Sequence, residues 1–171
     1  LLGQFGRYIS EAQRASGRSI FIFGKDAGFV VVFSQNTRQD VANHADVLST
    51  FFDNTGTFQK FFGDYENKKQ TCAIRMKVGP TDQIYAFLLF LSVSQDRNPK
   101  RIDECLRRGT LAGLGVVHAY DEALDPPSER GGLTKLDILS LKVLYHPDLL
   151  VGADTEQVSS EIARLIGTLA K

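Results

Sequence analysis

The spacing of hydrophobic residues predicts alternating helices and strands along the first half of the chain. An amphipathic helix is expected up to Gly17, a natural C-cap, because apolar residues recur at helical spacing before it. They are Leu1, Phe5, Tyr8, Ile9 and Ala12. Two β-rich runs follow over 19–24 and 28–34, and the short segment between them predicts a hairpin.

A second helix is predicted after Thr37, since Thr37 and Asp40 have the spacing of a capping box. Its apolar stripe comprises Val41, Ala45, Leu48 and Phe52. The aromatic and charged stretch over 58–69 has no clear period, so we expect a loop or short helical turns there. Strands are predicted at about 71–78 and 84–93, and the second should be central because it is apolar on both faces.

Helices dominate the second half of the chain. The segment from Pro99 to about Ala112 is predicted to be helical and to end at the glycines that follow it. Residues 119–132 form a long predicted loop. Thr134 and Asp137 form a second capping box, and two helices are expected after it.

The order of these elements predicts a single α+β domain over residues 1–171. We expect a twisted mixed sheet of about four strands that is packed by helices and followed by C-terminal helices. The length of 171 residues suits one domain, and 43% hydrophobic and 23% charged residues are ordinary for a globular protein.

The charge balance limits the classes of partner. The chain has 20 basic and 20 acidic residues, and zero net charge argues against nucleic acid or an anionic membrane as a partner. A local basic cluster is expected to be the solvated face of a helix, and it comprises Arg97, Lys100, Arg101, Arg107 and Arg108. The longest apolar run, Tyr85 to Leu91, is far shorter than the ~20 residues of a membrane helix, so no membrane span is expected. The start at Leu1, without a signal peptide, leaves room for a lipid anchor upstream.

The chain has two cysteines, Cys72 and Cys105. Cys72 opens an alternating strand pattern, and Cys105 shares a helical face with Ile102, Leu106 and Gly109. If this helix packs on that face of the sheet, the two thiols come within disulfide range. A disulfide would indicate a periplasmic or extracellular location, and the alternative is two buried cytosolic thiols.

The candidate chemistry lies at the end of the helix predicted after Pro99. Residues 108–118 read RGTLAGLGVVH, which aligns with the metzincin pattern HExxHxxGxxH at Gly115 and His118. Three positions depart from the pattern, where the first histidine, the glutamate and the second histidine become Arg108, Gly109 and Ala112. Because a protein zinc site needs about three donor ligands, we expect no metal, no cofactor and no HExxH-type hydrolysis.

Two segments together resemble a known family. One is the cysteine-bearing helix with its break at Leu114-Gly115, and the other runs over 133–152 and contains LTKLDI and LYHPDL. Residues 70–165 thereby resemble a proteobacterial lipoprotein family classed as a domain of unknown function. The closing helix is also similar to the one that ends matrixin-type metzincins. The resemblance implies a zincin-like fold in a periplasmic or envelope protein.

The chain also departs from that family, whose members carry a pair of glutamates and a glutamine before the glycine break. This departure predicts a non-catalytic domain that binds a protein or peptide partner in a degenerate protease cleft. The cleft would be bordered by Arg108, Gly109, Leu111, Ala112 and His118. Small residues there leave room for a ligand, and Arg108 can pair with a carboxylate.

Two alternatives stay open at this point. One is a hydrolase that uses His118 as a base, with Asp121 or Glu122 to orient it. The other is a purely structural module with an empty cleft. The remaining histidines, His44 and His146, share no metal-binding spacing with His118.

Overall fold

The structure is a computed structural model, and it describes residues 1–18, 28–68, 70–80, 84–94, 98–116, 132–149 and 155–169. Within them the chain is a mixed α+β protein, as predicted, with seven helices and a three-stranded sheet. It divides into two compact units, one formed by residues 24–105 and the other by 1–23 together with 106–171. That the whole chain is one domain stays a prediction.

The sheet of the 24–105 unit is mixed. Its strands are β1 (Phe29–Ser34), β2 (Cys72–Val78) and β3 (Ile84–Ser92), in the order β1-β3-β2. Strand β3 pairs in parallel with β1 and antiparallel with β2. It is central, as its apolar faces predicted, and its residues from Phe87 to Leu91 are almost fully buried. The fourth predicted strand, over 19–24, lies outside the described residues.

Three helices of this unit precede β2. They are α2 (Thr37–Asn43), α3 (Ala45–Ser49) and α4 (Thr55–Asn67). Two side chains of β2 form hydrogen bonds with the backbone that follows α3. Lys77 donates from Nζ to the carbonyl oxygen of Thr50 at 3.0 Å, and Arg75 donates from Nε to the carbonyl oxygen of Phe51 at 3.3 Å. These bonds satisfy carbonyls that have no partner within a helix end.

The loop or short helical turns expected over 58–69 are wrong for residues 58–67, which belong to the 13-residue helix α4. Asn54 caps the helix by accepting a hydrogen bond from the backbone nitrogen of Thr57 at 2.9 Å. The aromatic residues pack inward, and the Phe62 ring lies edge-on to Phe90 of β3 with centroids 5.1 Å apart. The aromatic and aliphatic core of this unit comprises Leu48, Phe51, Phe52, Phe62, Tyr65, Leu88 and Phe90.

The start of α2 is shifted by one residue from the predicted capping box. Asn36, not Thr37, is the N-cap, and its side chain accepts from the backbone nitrogen of Gln39 at 3.2 Å. Asp40 instead accepts from the Ser34 hydroxyl at 2.7 Å and from the backbone nitrogen of Asn36. These hydrogen bonds, the one from Ser34 above all, lower the pKa of Asp40.

The other unit is built on helices α1 (Leu2–Ser16), α6 (Lys135–Leu144) and α7 (Thr155–Leu169), together with residues 106–113 of α5 (Pro99–Gly113). Helix α1 packs on α6, and α6 packs on α7. Helix α1 ends as predicted at Gly17, which adopts the left-handed conformation with φ 66°. None of the helices in the described part of the chain is both long enough and apolar enough to cross a membrane.

The second predicted capping box is confirmed. The Thr134 hydroxyl accepts from the backbone nitrogen of Asp137 at 3.1 Å, and the Asp137 carboxylate accepts from the backbone nitrogen of Thr134 at 2.8 Å. Each side chain thus satisfies a backbone donor that the first turn of α6 leaves open. The sequence pattern located this helix start to the residue.

Candidate functional site

The helix that carries the degenerate motif is deeply buried at the motif positions. Between Leu106 and Ala112, every residue except Arg108 is buried. Leu111 and Ala112 have no solvent-exposed surface, and Arg108 is half-buried. Of the predicted cleft residues that the structure describes, only Arg108 is therefore accessible, and the turn over 113–116 that follows the helix is half-buried.

The motif positions offer no metal ligands of the HExxH kind. Gly109 has no side chain, Ala112 presents a methyl group, and the guanidinium of Arg108 has no lone pair to donate. His118, the fifth residue of the predicted cleft, lies outside the described residues, as do Asp121 and Glu122 of the alternative hydrolase. Among the residues that the structure describes, no three His, Cys, Asp or Glu side chains are grouped to hold a metal ion.

The turn after α5 is held by backbone and side-chain contacts. Gly115 has φ 87°, a conformation that glycine adopts without strain. The backbone nitrogen of Val116 donates to the carbonyl oxygen of Leu111 at 2.9 Å, which closes the helix end. The Tyr145 hydroxyl donates to the carbonyl oxygen of Leu114 at 2.9 Å, and burial raises the pKa of Tyr145. The glycine break predicted from the sequence is thus a defined turn that α6 supports from its C-terminal end.

A buried ion pair lies beside the motif, and the sequence did not reveal it. Arg107 donates from Nη1 to Oδ2 of Asp137 at 2.7 Å, with the two side chains 8% and 10% exposed. Arg107 was expected on a solvated basic face, and that assignment is wrong. Asp137 also closes the capping box of α6, so a single carboxylate fixes both the helix start and the guanidinium.

The segment that leads into α6 is tied to α1. The backbone nitrogen of Leu133 donates to Oε2 of Glu11 at 2.7 Å, and that of Gly132 donates to the Tyr8 hydroxyl at 3.3 Å. Gly132 has φ 123°, a conformation that residues with a side chain rarely adopt. The chain therefore enters α6 along a path that Glu11 and Tyr8 define.

Cys72 and Cys105 form a disulfide, as the inward faces of their strand and helix predicted. Their Cα atoms are 6.1 Å apart, within the usual range for a bridge. Both residues belong to the 24–105 unit, so the bond links β2 to the first turns of α5 inside that unit. Disulfides persist in oxidising compartments, and the bond is compatible with an extracytoplasmic location.

A groove between α2 and α4 is a second candidate site, and it is not among the sites predicted from the sequence. Its apolar part has a volume of about 270 Å³, and Val41 of α2 and Phe62 of α4 are among the residues that line it. A more polar cavity of about 540 Å³ shares Arg38 and Glu66 with it. The signal for the groove is the aromatic run of α4, for which the sequence predicts a loop or short helical turns.

The chain matches no protein-family model, no curated protein and no solved structure.

Proposed function

We propose that this chain is a non-catalytic, zincin-like domain of the cell envelope that acts by binding a protein or peptide partner. The observation that carries the proposal is the motif helix α5. The glycine turn of HExxHxxGxxH is kept at Gly115, while the first three functional positions hold Arg108, Gly109 and Ala112. A helix of this kind can preserve a protease scaffold but cannot supply its zinc ligands or its base.

Two further features support the proposal. The Cys72–Cys105 disulfide suits the oxidising conditions of the periplasm or the cell exterior. Arg108 and the turn at 113–116 are half-buried, so part of their surface is accessible. A guanidinium at such a place can bind a carboxylate of a partner in bidentate fashion.

The register of the degenerate motif can be tested by restoring the missing ligands. In the double variant Arg108→His and Ala112→His, two imidazoles join His118, and we expect one zinc or cobalt ion to bind per chain. The absorption spectrum of the cobalt form would report tetrahedral coordination. The wild-type protein should bind neither ion stoichiometrically, and adding His118→Ala to the double variant should abolish binding.

The restored variant has a predictable weakness, because Ala112 is fully buried. A larger side chain there can cost about 1–3 kcal/mol through overpacking. If far-UV circular dichroism shows that the variant is unfolded, Ala112→Cys supplies a smaller ligand at the same position. A folded variant with all three ligands and no metal affinity would contradict the zincin-like register.

The binding role is tested at Arg108. A photo-crosslinking amino acid at this position should capture a specific partner in cells of the source organism, and the same group at the exposed Lys142 of α6 should not. Equal capture from both positions, or none from Arg108, would contradict binding at this cleft.

A further inference from the structure

The groove between α2 and α4 combines two chemically different cavities. Its apolar part lies between α2–α3 residues at helical spacing and a facing row on α4. The first row is Arg38, Val41, Ala42 and Ala45, and the second is Phe58, Phe62, Gly63 and Glu66. Gly63 leaves open space, since a Cβ atom built there would meet no atom within 4 Å. The apolar part can therefore accept a side chain of moderate size.

The polar cavity offers amide and hydroxyl side chains, which can accept hydrogen bonds, together with one carboxylate and the Arg38 guanidinium. It is lined by Gln35, Asn36, Thr37, Arg38, Glu66 and Ser94. Thr37 is buried, and its hydroxyl has no hydrogen-bond partner. Buried polar groups without a partner are uncommon and cost free energy, so a ligand donor at this hydroxyl would be favourable.

The two charged side chains of the groove, Arg38 and Glu66, differ in their exposure to solvent. Arg38 and Glu66 approach to 3.6 Å, but the Arg38 side chain is 87% exposed and that of Glu66 is 31% exposed. Exposed pairs of this kind contribute little, so Arg38 can swing into solvent at small cost. Glu66 is the more enclosed of the two, and its carboxylate then faces the groove as a site for a cation.

We propose that this groove binds an extended peptide segment that carries an apolar side chain and a Lys or Arg side chain two residues apart. Residues two apart in an extended chain point to the same side, so both can enter the groove together. The apolar side chain would pack against Val41 and Phe62, and the cation would displace Arg38 from Glu66. The several N–H donors of the cation suit the Thr37 hydroxyl and the neighbouring acceptors. This site does not rest on the proposed function, because its residues belong to the 24–105 unit and the motif positions do not.

The probe for this inference is a fluorescein-labelled peptide containing Leu-Ser-Arg between glycines, titrated to about 1 mM with anisotropy as the readout. Two control peptides replace its arginine by glutamate or its leucine by serine, and both should bind at least about tenfold more weakly. In amide NMR spectra, the shifts caused by the first peptide should centre on Val41, Gly63 and Glu66.

Variants of α4 test whether peptide binding needs the charge of Glu66 and the open space at Gly63. Glu66→Gln keeps the shape of the side chain and should weaken binding about tenfold, the usual effect of losing a charge-assisted hydrogen bond. Asp64→Asn makes the same charge change at an exposed position that does not line the groove, and it should bind like wild type. Gly63→Leu should fill the groove and abolish binding while the protein stays folded.

The inference is overturned if the wild-type protein does not bind the first peptide, or if Glu66→Gln and Gly63→Leu bind it as wild type does. Equal affinity for the arginine and glutamate peptides would also overturn it, because the carboxylate would then have no role. The metal experiments on α5 are unaffected by any of these results.

Discussion

Arg107 and Asp137 are 30 residues apart in sequence, yet their side chains form a buried ion pair with a 2.7 Å hydrogen bond. Removing one partner of such a pair leaves an uncompensated charge in the interior, which typically costs about 3–5 kcal/mol. We expect Arg107→Ala to lower the free energy of unfolding by about that amount, measured by urea denaturation. Arg108→Ala is the matched control.

Arg108 is half-buried and lies one residue away in the same helix. Its replacement by alanine should change the free energy of unfolding by no more than about 1 kcal/mol. If Arg108→Ala unfolds the protein while Arg107→Ala is tolerated, the helix is rotated from the orientation described above, and Arg108 does not border the cleft.

Local patterns predicted much of this fold. The capping box of α6, the C-cap of α1 and the central position of β3 each follow from signals within a few residues, and all three are confirmed. The disulfide also followed, because the strand and helix periods placed Cys72 and Cys105 on inward faces.

The failures have equally specific causes. Helix α4 was missed because the stretch over 58–69 has no clear helical period, although Asn54 is a residue type that caps helices. The burial of Arg107 could not be inferred from neighbouring arginines, since its partner Asp137 comes from another helix. The groove was missed with α4, because no pattern within α2 reveals the row of residues that faces it.

The disulfide should contribute to stability through the chain segment that it closes. Cys72 and Cys105 are 33 residues apart, and a loop of that length corresponds to about 3–4 kcal/mol in the chain-entropy model. The double variant Cys72→Ala and Cys105→Ala should be less stable by about this amount in urea denaturation without reductant. Reductant should destabilise the wild-type protein and leave the double variant unchanged. Two titratable thiols in the denatured, unreduced wild-type protein would contradict the bond.

We expect the buried phenol of Tyr65 to make the protein less stable in alkaline solution. Burial raises the pKa of Tyr65 to about 12 from an ordinary value of 10.0, while its hydroxyl donates to the carbonyl oxygen of Thr71 at 3.2 Å. Because the raised pKa favours the neutral phenol in the folded state, its contribution is complete below pH 10 and is lost as the pH rises towards 12. We expect Tyr65→Phe to reduce the fall in unfolding free energy across this window.

Tyr145 should also make the free energy of unfolding fall at alkaline pH, because burial raises the pKa of its phenol as well. The double variant Tyr65→Phe and Tyr145→Phe should therefore have the weakest alkaline dependence of the series. Urea denaturation at several pH values provides the comparison. A difference between wild type and Tyr65→Phe that stays constant from neutral pH to pH 12 would show that Tyr65 does not titrate as described.

Two helical glycines should respond in opposite ways to a side chain. Gly109 of α5 is buried. The larger side chain of Gly109→Leu should therefore overpack the interior, at a cost of about 1–3 kcal/mol in the free energy of unfolding. At Gly63 of α4 a Cβ atom would meet nothing within 4 Å, and alanine restricts the unfolded chain more than glycine does. Gly63→Ala should therefore raise the free energy of unfolding by about 0.5–1 kcal/mol. Chemical denaturation of both variants tests the pair, and a neutral Gly109→Leu would mean that α5 has space at the position where a zincin would hold its catalytic glutamate.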